Sequence, residues 1–437
     1  MHRFHVSGRG AFGSQYRRAL HSSYVINLWC GGNPWPAYHA LITGRPSPAD
    51  GSIIAMNMVL RSFIERRPRF DRVAITCVFG DPRDSRSWSG APANLAKELE
   101  QLGVAVEAIH PRLGRLAKWS VAARDMAAGL GRPLHGEQLL RGLRARRRHA
   151  AQVAESAARL GVRHVIHTGT FDLPAADRAQ GVEHYLYCDH SWALAKANHP
   201  VARRYNARAI AAYDQAERQA LSGLAHVFTF GSYVRDNLIA HYGLPADRVT
   251  AVGSGMGSIE PYWGPKSYDR PALLFVAKHL FHAKGGMLLL EAYDLARRRR
   301  PDLTLTIVGD ERSRAFVGDR SGITFHAHLP WTELQQRYRD ATLLVQPMLN
   351  DPWGQVYLEA MASATPVMGL NRNGLPELVD GGRHGFLVDR ADPAALSEAI
   401  LSALSDPQRL QRMAAAGRRF VLASCSWRRV AERIAYS

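Results

Sequence analysis

The chain has 437 residues, 46% hydrophobic and 22% charged, with 56 Lys and Arg against 38 Asp and Glu and a net charge of +18. That length holds two ordinary domains with ample core, and the composition is that of a globular protein rather than a disordered or fibrous one. Four cysteines (Cys30, Cys77, Cys188, Cys425) lie far apart with no Cys-x-x-Cys pair, which argues against a disulfide framework or a zinc site and fits a reducing cytoplasm.

Residues 1–22 carry no periodicity and read as a mobile basic arm. They contain Gly8-Arg9-Gly10-Ala11-Phe12-Gly13, a literal Gly-x-Gly-x-x-Gly. No strand precedes it and no acid follows at the required distance, so it is rejected as a dinucleotide site. No apolar leader opens the chain and no run of eighteen apolar residues occurs. The expectation is a cytoplasmic protein that does not span a membrane.

Residues 23–262 read as a first α/β lobe. Tyr24–Leu28 is a short apolar strand, and Gly31-Gly32-Asn33-Pro34 and Gly44-Arg45-Pro46 are turns. Gly51–Ile64 has helical periodicity, Val73–Phe79 is strand-like, Ala93–Leu102 is helical and Val104–Ile109 is again a strand. Gln138–Leu160 reads as one long helix. Val165-Ile166-His167 is a strand ending in Thr168-Gly169-Thr170, and Tyr185–Cys188 is another ending in Asp189-His190-Ser191. Asn206–Leu221 is a helix leading to Val227–Phe230. Helices alternating with buried strands imply a doubly wound parallel sheet.

Between Pro111 and Ala150, ten Lys and Arg face two acids, and Leu113, Leu116, Trp119 and Val121–Ala123 interleave with them. Two readings stand side by side: a basic helix suited to an anionic membrane surface, and a solvated arginine-rich face. Nucleic acid is not an expected partner, since no RNA-binding motif, helix-turn-helix spacing or zinc ligand set is visible.

Val249–Trp263, with Gly253, Gly255 and Gly257, reads as a hinge whose glycines allow two lobes to rotate. The second lobe, 263–418, repeats the alternating pattern. Leu273–Ala277 is a buried strand followed by Lys278, and Lys284-Gly285-Gly286 opens a helix to about Arg300. Arg297–Arg300 complements that helix's C-terminus. Downstream, Asn350-Asp351-Pro352-Trp353-Gly354 turns straight into the helical run Gln355-Val356-Tyr357-Leu358-Glu359. A helix start has free N–H donors and a favourable dipole, so it attracts phosphate, and two lysines upstream supply cations. Acids at both ends of the turn suit sugar hydroxyls. The site this predicts binds a sugar nucleotide. Ligands in such sheets sit beyond the carboxyl ends of strands, which brings in Gly309, His328 as a seat for the base, and Asp189-His190 on the acceptor side. For Asp189 and Ser191 a helix N-cap role stands beside the catalytic one. His167-Thr168-Gly169 is the runner-up, with Gly31-Gly32-Asn33 as a loop over the donor phosphates.

From about Val227 to the C-terminus, the chain resembles the family 4 retaining glycosyltransferases (glycosyl transferases group 1). Phe275-Val276-Ala277-Lys278…Lys284-Gly285, Thr306-Ile307-Val308-Gly309-Asp310, Asp351…Glu359, Gly374-Leu375-Pro376-Glu377 and Gly385-Phe386-Leu387-Val388 carry the resemblance in order and spacing. It implies the GT-B fold: two Rossmann-like lobes facing a cleft, with residues 419–437 forming a helix that crosses back to the first lobe. It also implies a nucleotide-diphosphate sugar donor, a glycan, lipid or small-molecule acceptor, and retention of configuration. In that pattern Lys278, Lys284, Asp351, His190 and Asp189 are catalytic, while Gly285, Gly309, Gly354, Gln355, Val356, Glu359 and His328 bind the donor. No cofactor or metal is expected, since no Asp-x-Asp occurs and the lysines supply the charge. Lys278 replaces the usual Arg, Ala277 a common Gly, and Asp351 the first Glu, so a GT-B-like binding protein without transferase activity is the alternative.

Overall fold

The structure, a computed structural model, describes residues 67–130, 136–175, 181–198, 202, 205–278 and 280–437. Chain contacts divide it into a unit of residues 1–67 and a unit of residues 68–437, and every element below belongs to the second. The basic arm, the strand at Tyr24–Leu28, the Gly31-Gly32-Asn33 loop, Cys30 and the helix at Gly51–Ile64 lie outside the described residues.

Among the described residues the strands form two six-stranded parallel sheets. The first comprises β1 (Arg72–Thr76), β2 (Ala105–Ile109), β3 (His164–Thr168), β4 (Glu183–Cys188), β5 (His226–Thr229) and β6 (Val249–Ala251), in the order β2-β1-β3-β4-β5-β6. The second comprises β7 (Ala272–Val276), β8 (Thr304–Val308), β9 (Ile323–His326), β10 (Leu343–Val345), β11 (Val367–Leu370) and β12 (Gly385–Val388), in the order β12-β11-β10-β7-β8-β9. Parallel strands need crossovers, and the helices that make them cover both faces, which is why β7 reads as Ala-Leu-Leu-Phe-Val without polar alternation.

One expected helix is two. Gly136–Arg141 and Leu143–Leu160 are separated by Gly142, whose ψ of 134° is extended. A Cβ there would lie 2.6 Å from Oδ2 of buried Asp125, so glycine makes room for a carboxylate that pairs with Arg144 at 2.5 Å. Local periodicity carried the pattern across a break that tertiary contact imposes. Asn206 behaves as its type predicts: its side chain accepts the Ala209 N–H at 2.8 Å and caps the helix Ala207–Ser222.

The terminal helix Trp427–Tyr436 buries Trp427, Val430, Ala431, Ile434 and Ala435, a single stripe at helical spacing. That stripe joins the core of the first sheet with Leu95 and Leu99 of the helix Ala91–Gln101. The Arg69 N–H donates to the Ala435 carbonyl at 2.6 Å, and Arg433 donates to the Val252 carbonyl at 3.1 Å. The chain thus returns to its first lobe. Two glycines of the segment read as a hinge serve close approach: a Cβ on Gly255 would stand 2.4 Å from the Trp427 ring, and one on Gly257 would stand 3.1 Å from Glu359 Oε1.

Candidate active site

Strands β7 and β10 are neighbours, so the loops that follow them emerge side by side. The buried Gln346 side chain fixes their ends, accepting the Val276 N–H at 3.0 Å. The loop after β7 is then stitched to the loop after β10: Met348 N–H donates to the Lys284 carbonyl at 3.0 Å, and Asn350 N–H to that of Ala283 at 2.9 Å. Gly285 is left-handed (φ 86°) and starts the helix Gly286–Arg299. A Cβ there would sit 2.6 Å from Pro347. Only glycine satisfies both demands.

This stitching brings Lys284 Nζ to 2.9 Å from Asp351 Oδ2. Burial pushes the Asp351 carboxyl up. The Lys284 ammonium and the N–H groups of Trp353 and Gly354 outweigh that and hold it below the ordinary carboxylate range. Gly354 (φ 76°) starts the helix Gln355–Ala362, and a Cβ on it would press on Met348 and Tyr357. The turn is built as the sequence suggests, with one difference. Asp351 itself takes the Trp353 N–H, at 3.3 Å, so the carboxylate shares the helix start rather than only flanking it. The N–H groups of Gln355 and Val356 have no intrahelical acceptor and face the same end.

Glu359 lies on that helix with Tyr338 donating to its Oε2 at 2.6 Å. Burial raises its pKa, while the Tyr338 hydrogen bond and the charges of Lys278 and Lys284 pull the other way. Both lysines therefore act electrostatically on one carboxylate. Lys278 is exposed at the end of β7, its Nζ 5.7 Å from the centre of the Trp331 ring.

Gly309 and His328 follow β8 and β9, on the side of β7 away from β10. Gly309 continues β8, donating its N–H to the His326 carbonyl at 2.9 Å, and has the Phe325 ring where a side chain would go. His328 is exposed in the loop after β9. The aromatic ring beside Lys278 is Trp331, which the sequence reading missed.

Asp189-His190 is half-buried at the end of β4 and comes up against the second lobe. The Tyr233 hydroxyl bridges the two lobes, 2.7 Å from the Asp189 carbonyl and 2.8 Å from that of Pro352, the residue after Asp351. Ser191, not Asp189, caps the helix Trp192–Asn198, accepting the Leu194 N–H at 3.1 Å. Glu377 makes a second bridge. Its carboxylate accepts the Ser232 and Tyr233 N–H groups at 2.9 and 2.7 Å, capping the first-lobe helix Ser232–Tyr242 from the opposite lobe. Tyr233 and Glu377 were also missed as site residues. The signal for Glu377 was its place in the Gly374-Leu375-Pro376-Glu377 segment, but its partner is 144 positions away.

Residues 263–420 match the family described as Glycosyl transferases group 1. Over 333 residues the chain is 29% identical to a GDP-mannose-dependent alpha-(1-6)-phosphatidylinositol monomannoside mannosyltransferase of Mycolicibacterium smegmatis, covering 65% of this chain and 86% of the relative. It is 30% identical to a glycogen synthase of Mycobacterium tuberculosis over 47% of this chain and about half (51%) of that protein. Among solved structures, a sucrose-phosphate synthase from Thermosynechococcus elongatus superposes with a TM-score of 0.64 at 18% identity, covering 83% of this chain and 97% of that one.

Proposed function

Since residues 263–420 form a group 1 glycosyltransferase domain and the chain is a glycosyltransferase with the GT-B fold, we propose that it is a retaining, metal-independent enzyme. It moves a sugar from a nucleotide-diphosphate sugar to a glycan, lipid or small-molecule acceptor. The observation that carries this reading is the Lys284–Asp351 pair seated against the glycine-started helix, with Lys278 and Glu359 in the same electrostatic neighbourhood.

In this reading Lys278, Lys284 and the N–H groups of Gln355 and Val356, at the helix start made by Gly354, hold the diphosphate, Asp351 takes a hydroxyl of the transferred sugar and Glu359 holds the ribose. The bond from the anomeric carbon to the phosphate oxygen breaks as the acceptor oxygen bonds to that carbon on the same face. The acceptor's proton passes to the leaving phosphate oxygen, so no strong protein base is needed. Asp189 and His190 orient the acceptor. The protein's chief contribution is cationic stabilisation of the leaving diphosphate, for which loss of one donor typically costs about 10²–10³ in turnover.

The first donor to test is GDP-mannose, as the mannosyltransferase relative is named for it, followed by UDP- and ADP-sugars. Lys284→Ala is expected to reduce transfer by about 10² with every active donor. Wild-type donor hydrolysis and transfer in that variant would show that the phosphate assignment is wrong. Binding of nucleotide without turnover on a broad acceptor panel would favour the binding-protein alternative.

Contact with an anionic membrane is part of the proposal. Among the described residues no helix is long and apolar enough to cross a membrane. The helix Arg115–Ala127, however, leaves Leu116 at 86% and Trp119 at 73% exposure, one turn apart. Arg115, Lys118 and Arg124 are exposed on the same helix, whereas Leu113, Val121 and Ala122 are buried. Outward Trp and Leu within a basic rim match the boundary of an anionic bilayer.

A further inference from the structure

The first lobe contains a second polar centre that the donor site does not use. In its sheet β4 lies between β3 and β5. Leu143–Leu160 packs over β1 and β3, and Ala207–Ser222 over β4 and β5. Residues 169–175, which leave β3 toward β4, form no helix. The two flanking helices meet where Arg146 faces Glu217, and a groove of about 690 Å³ is lined by both of them. Alanines, among them Ala154 and Ala216, form much of its walls and leave room between longer polar side chains. That volume suits a small molecule.

The groove is charged where cores ordinarily are not. Arg146 lines it, yet is only 7% exposed. Among the described residues its single ion pair is with Glu217, at 3.9 Å. Glu217 is already held at closer range by Trp192 N–H at 2.7 Å, the Tyr242 hydroxyl at 3.2 Å and the Thr170 hydroxyl at 3.3 Å. A buried guanidinium with so loose a counter-ion is under-compensated, and an anion in the groove would complete it. Exposed Arg147 adds a second cation at the rim.

His184 forms part of the floor. Its Nδ1 lies 2.9 Å from His167 Nε2, His167 Nδ1 lies 3.0 Å from Asp172 Oδ1, and the Thr76 hydroxyl donates to Asp172 Oδ2 at 2.5 Å. Burial, and then the neighbouring His167, push His184 down to about 3, so the ring is neutral. With Nδ1 engaged, Nε2 is the nitrogen it offers a ligand. Gln215 and Gln219 add amides from the helix wall. A chain of four buried polar groups ending at a groove fits a binding site better than a packing device, since an apolar core would do the latter without desolvating them.

We propose that this groove is a second small-molecule site, separate from the donor site, and that it takes a phosphorylated polyol such as a sugar phosphate. The phosphate meets Arg146 and Arg147, and the hydroxyls meet His184, Gln215 and Gln219 between the alanine walls.

The test is calorimetric titration of the full chain with glucose 6-phosphate, glycerol 3-phosphate and unphosphorylated glucose. The phosphorylated probes are expected to bind saturably and glucose weakly. Arg146→Gln should weaken binding at least about tenfold, equivalent to 1.4 kcal/mol. Ala216→Leu, which fills the groove from a half-buried wall position without removing a charge, should abolish it and guards against misfolding of the Arg146 variant. Lys284→Ala should leave probe affinity unchanged, and GDP and UDP should not compete. Absence of saturable binding, binding that survives Ala216→Leu, or displacement by nucleotide would each overturn the proposal. None of these outcomes depends on transferase activity, so failure here is distinct from failure of the donor assignment.

Discussion

The Lys284–Asp351 pair should be energetically coupled as well as catalytic, and a double-mutant cycle of Lys284→Met, Asp351→Asn and both together measures the coupling. The ion pair is 2.9 Å long with side chains 17% and 25% exposed. At an effective dielectric of about 20 the bare attraction at that distance is about 6 kcal/mol. Desolvation and side-chain ordering remove much of it, leaving a coupling of about 2 kcal/mol. Lys284→Met leaves a half-buried carboxylate held only by the Trp353 and Gly354 N–H groups and should destabilise by about 3 kcal/mol. Asp351→Asn leaves an ammonium that can turn toward water and should cost about 2 kcal/mol. The double variant should cost no more than about 3 kcal/mol, since it leaves no lone charge. Equilibrium urea denaturation supplies the three differences. Transfer should be low in all three variants, because the double substitution restores charge balance but not the diphosphate cation. Single-variant losses that add to within about 0.5 kcal/mol would refute the pairing.

Glu377→Gln should keep the lobes folded but weaken the cap on the Ser232–Tyr242 helix by about 1 kcal/mol; comparing turnover with donor KM reads its effect on the Asp351 loop, and unchanged kinetics would dismiss the bridge. Lys266 is half-buried, with its ammonium on the Thr365 hydroxyl and the Tyr338 carbonyl, and desolvation lowers its pKa to about 7, Asp340 opposing. The folded state thus releases this proton before the unfolded chain does, so stability rises with pH between about 7 and 10 by up to about 1.4 kcal/mol per unit and is flat below. Lys266→Met should remove that rise in thermal melts across the range, and an unaltered pH profile would contradict it. Leu116→Ser with Trp119→Ser should abolish flotation with anionic vesicles without changing transfer to a soluble acceptor; failure of the unmodified protein to float with anionic vesicles would dismiss the membrane contact.

The sequence by itself determined the alternation of strand and helix, because fully buried parallel strands must be apolar throughout and their crossovers amphipathic. It also determined the local chemistry of the donor turn. Gly285 and Gly354 stand where left-handed backbone is required, Asp351 and Glu359 keep a spacing that one helix start and its approach loop can use, and Lys284 directly precedes the other glycine-started helix. Only the tertiary structure decided what depends on distant partners. It cut the helix at Gly142 because Asp125 lies beneath it, and it took Gly309 into the sheet and left His328 in solvent. It set Trp331 beside Lys278, and it joined Glu377 to a helix start 144 residues away in sequence. It also formed the groove over β4, which no local pattern records because its lining comes from two helices and a loop far apart in sequence. Periodicity and turn chemistry report what a residue does with its near neighbours along the chain, whereas a site between strand ends is fixed by sheet order, which is set by the burial of the whole core.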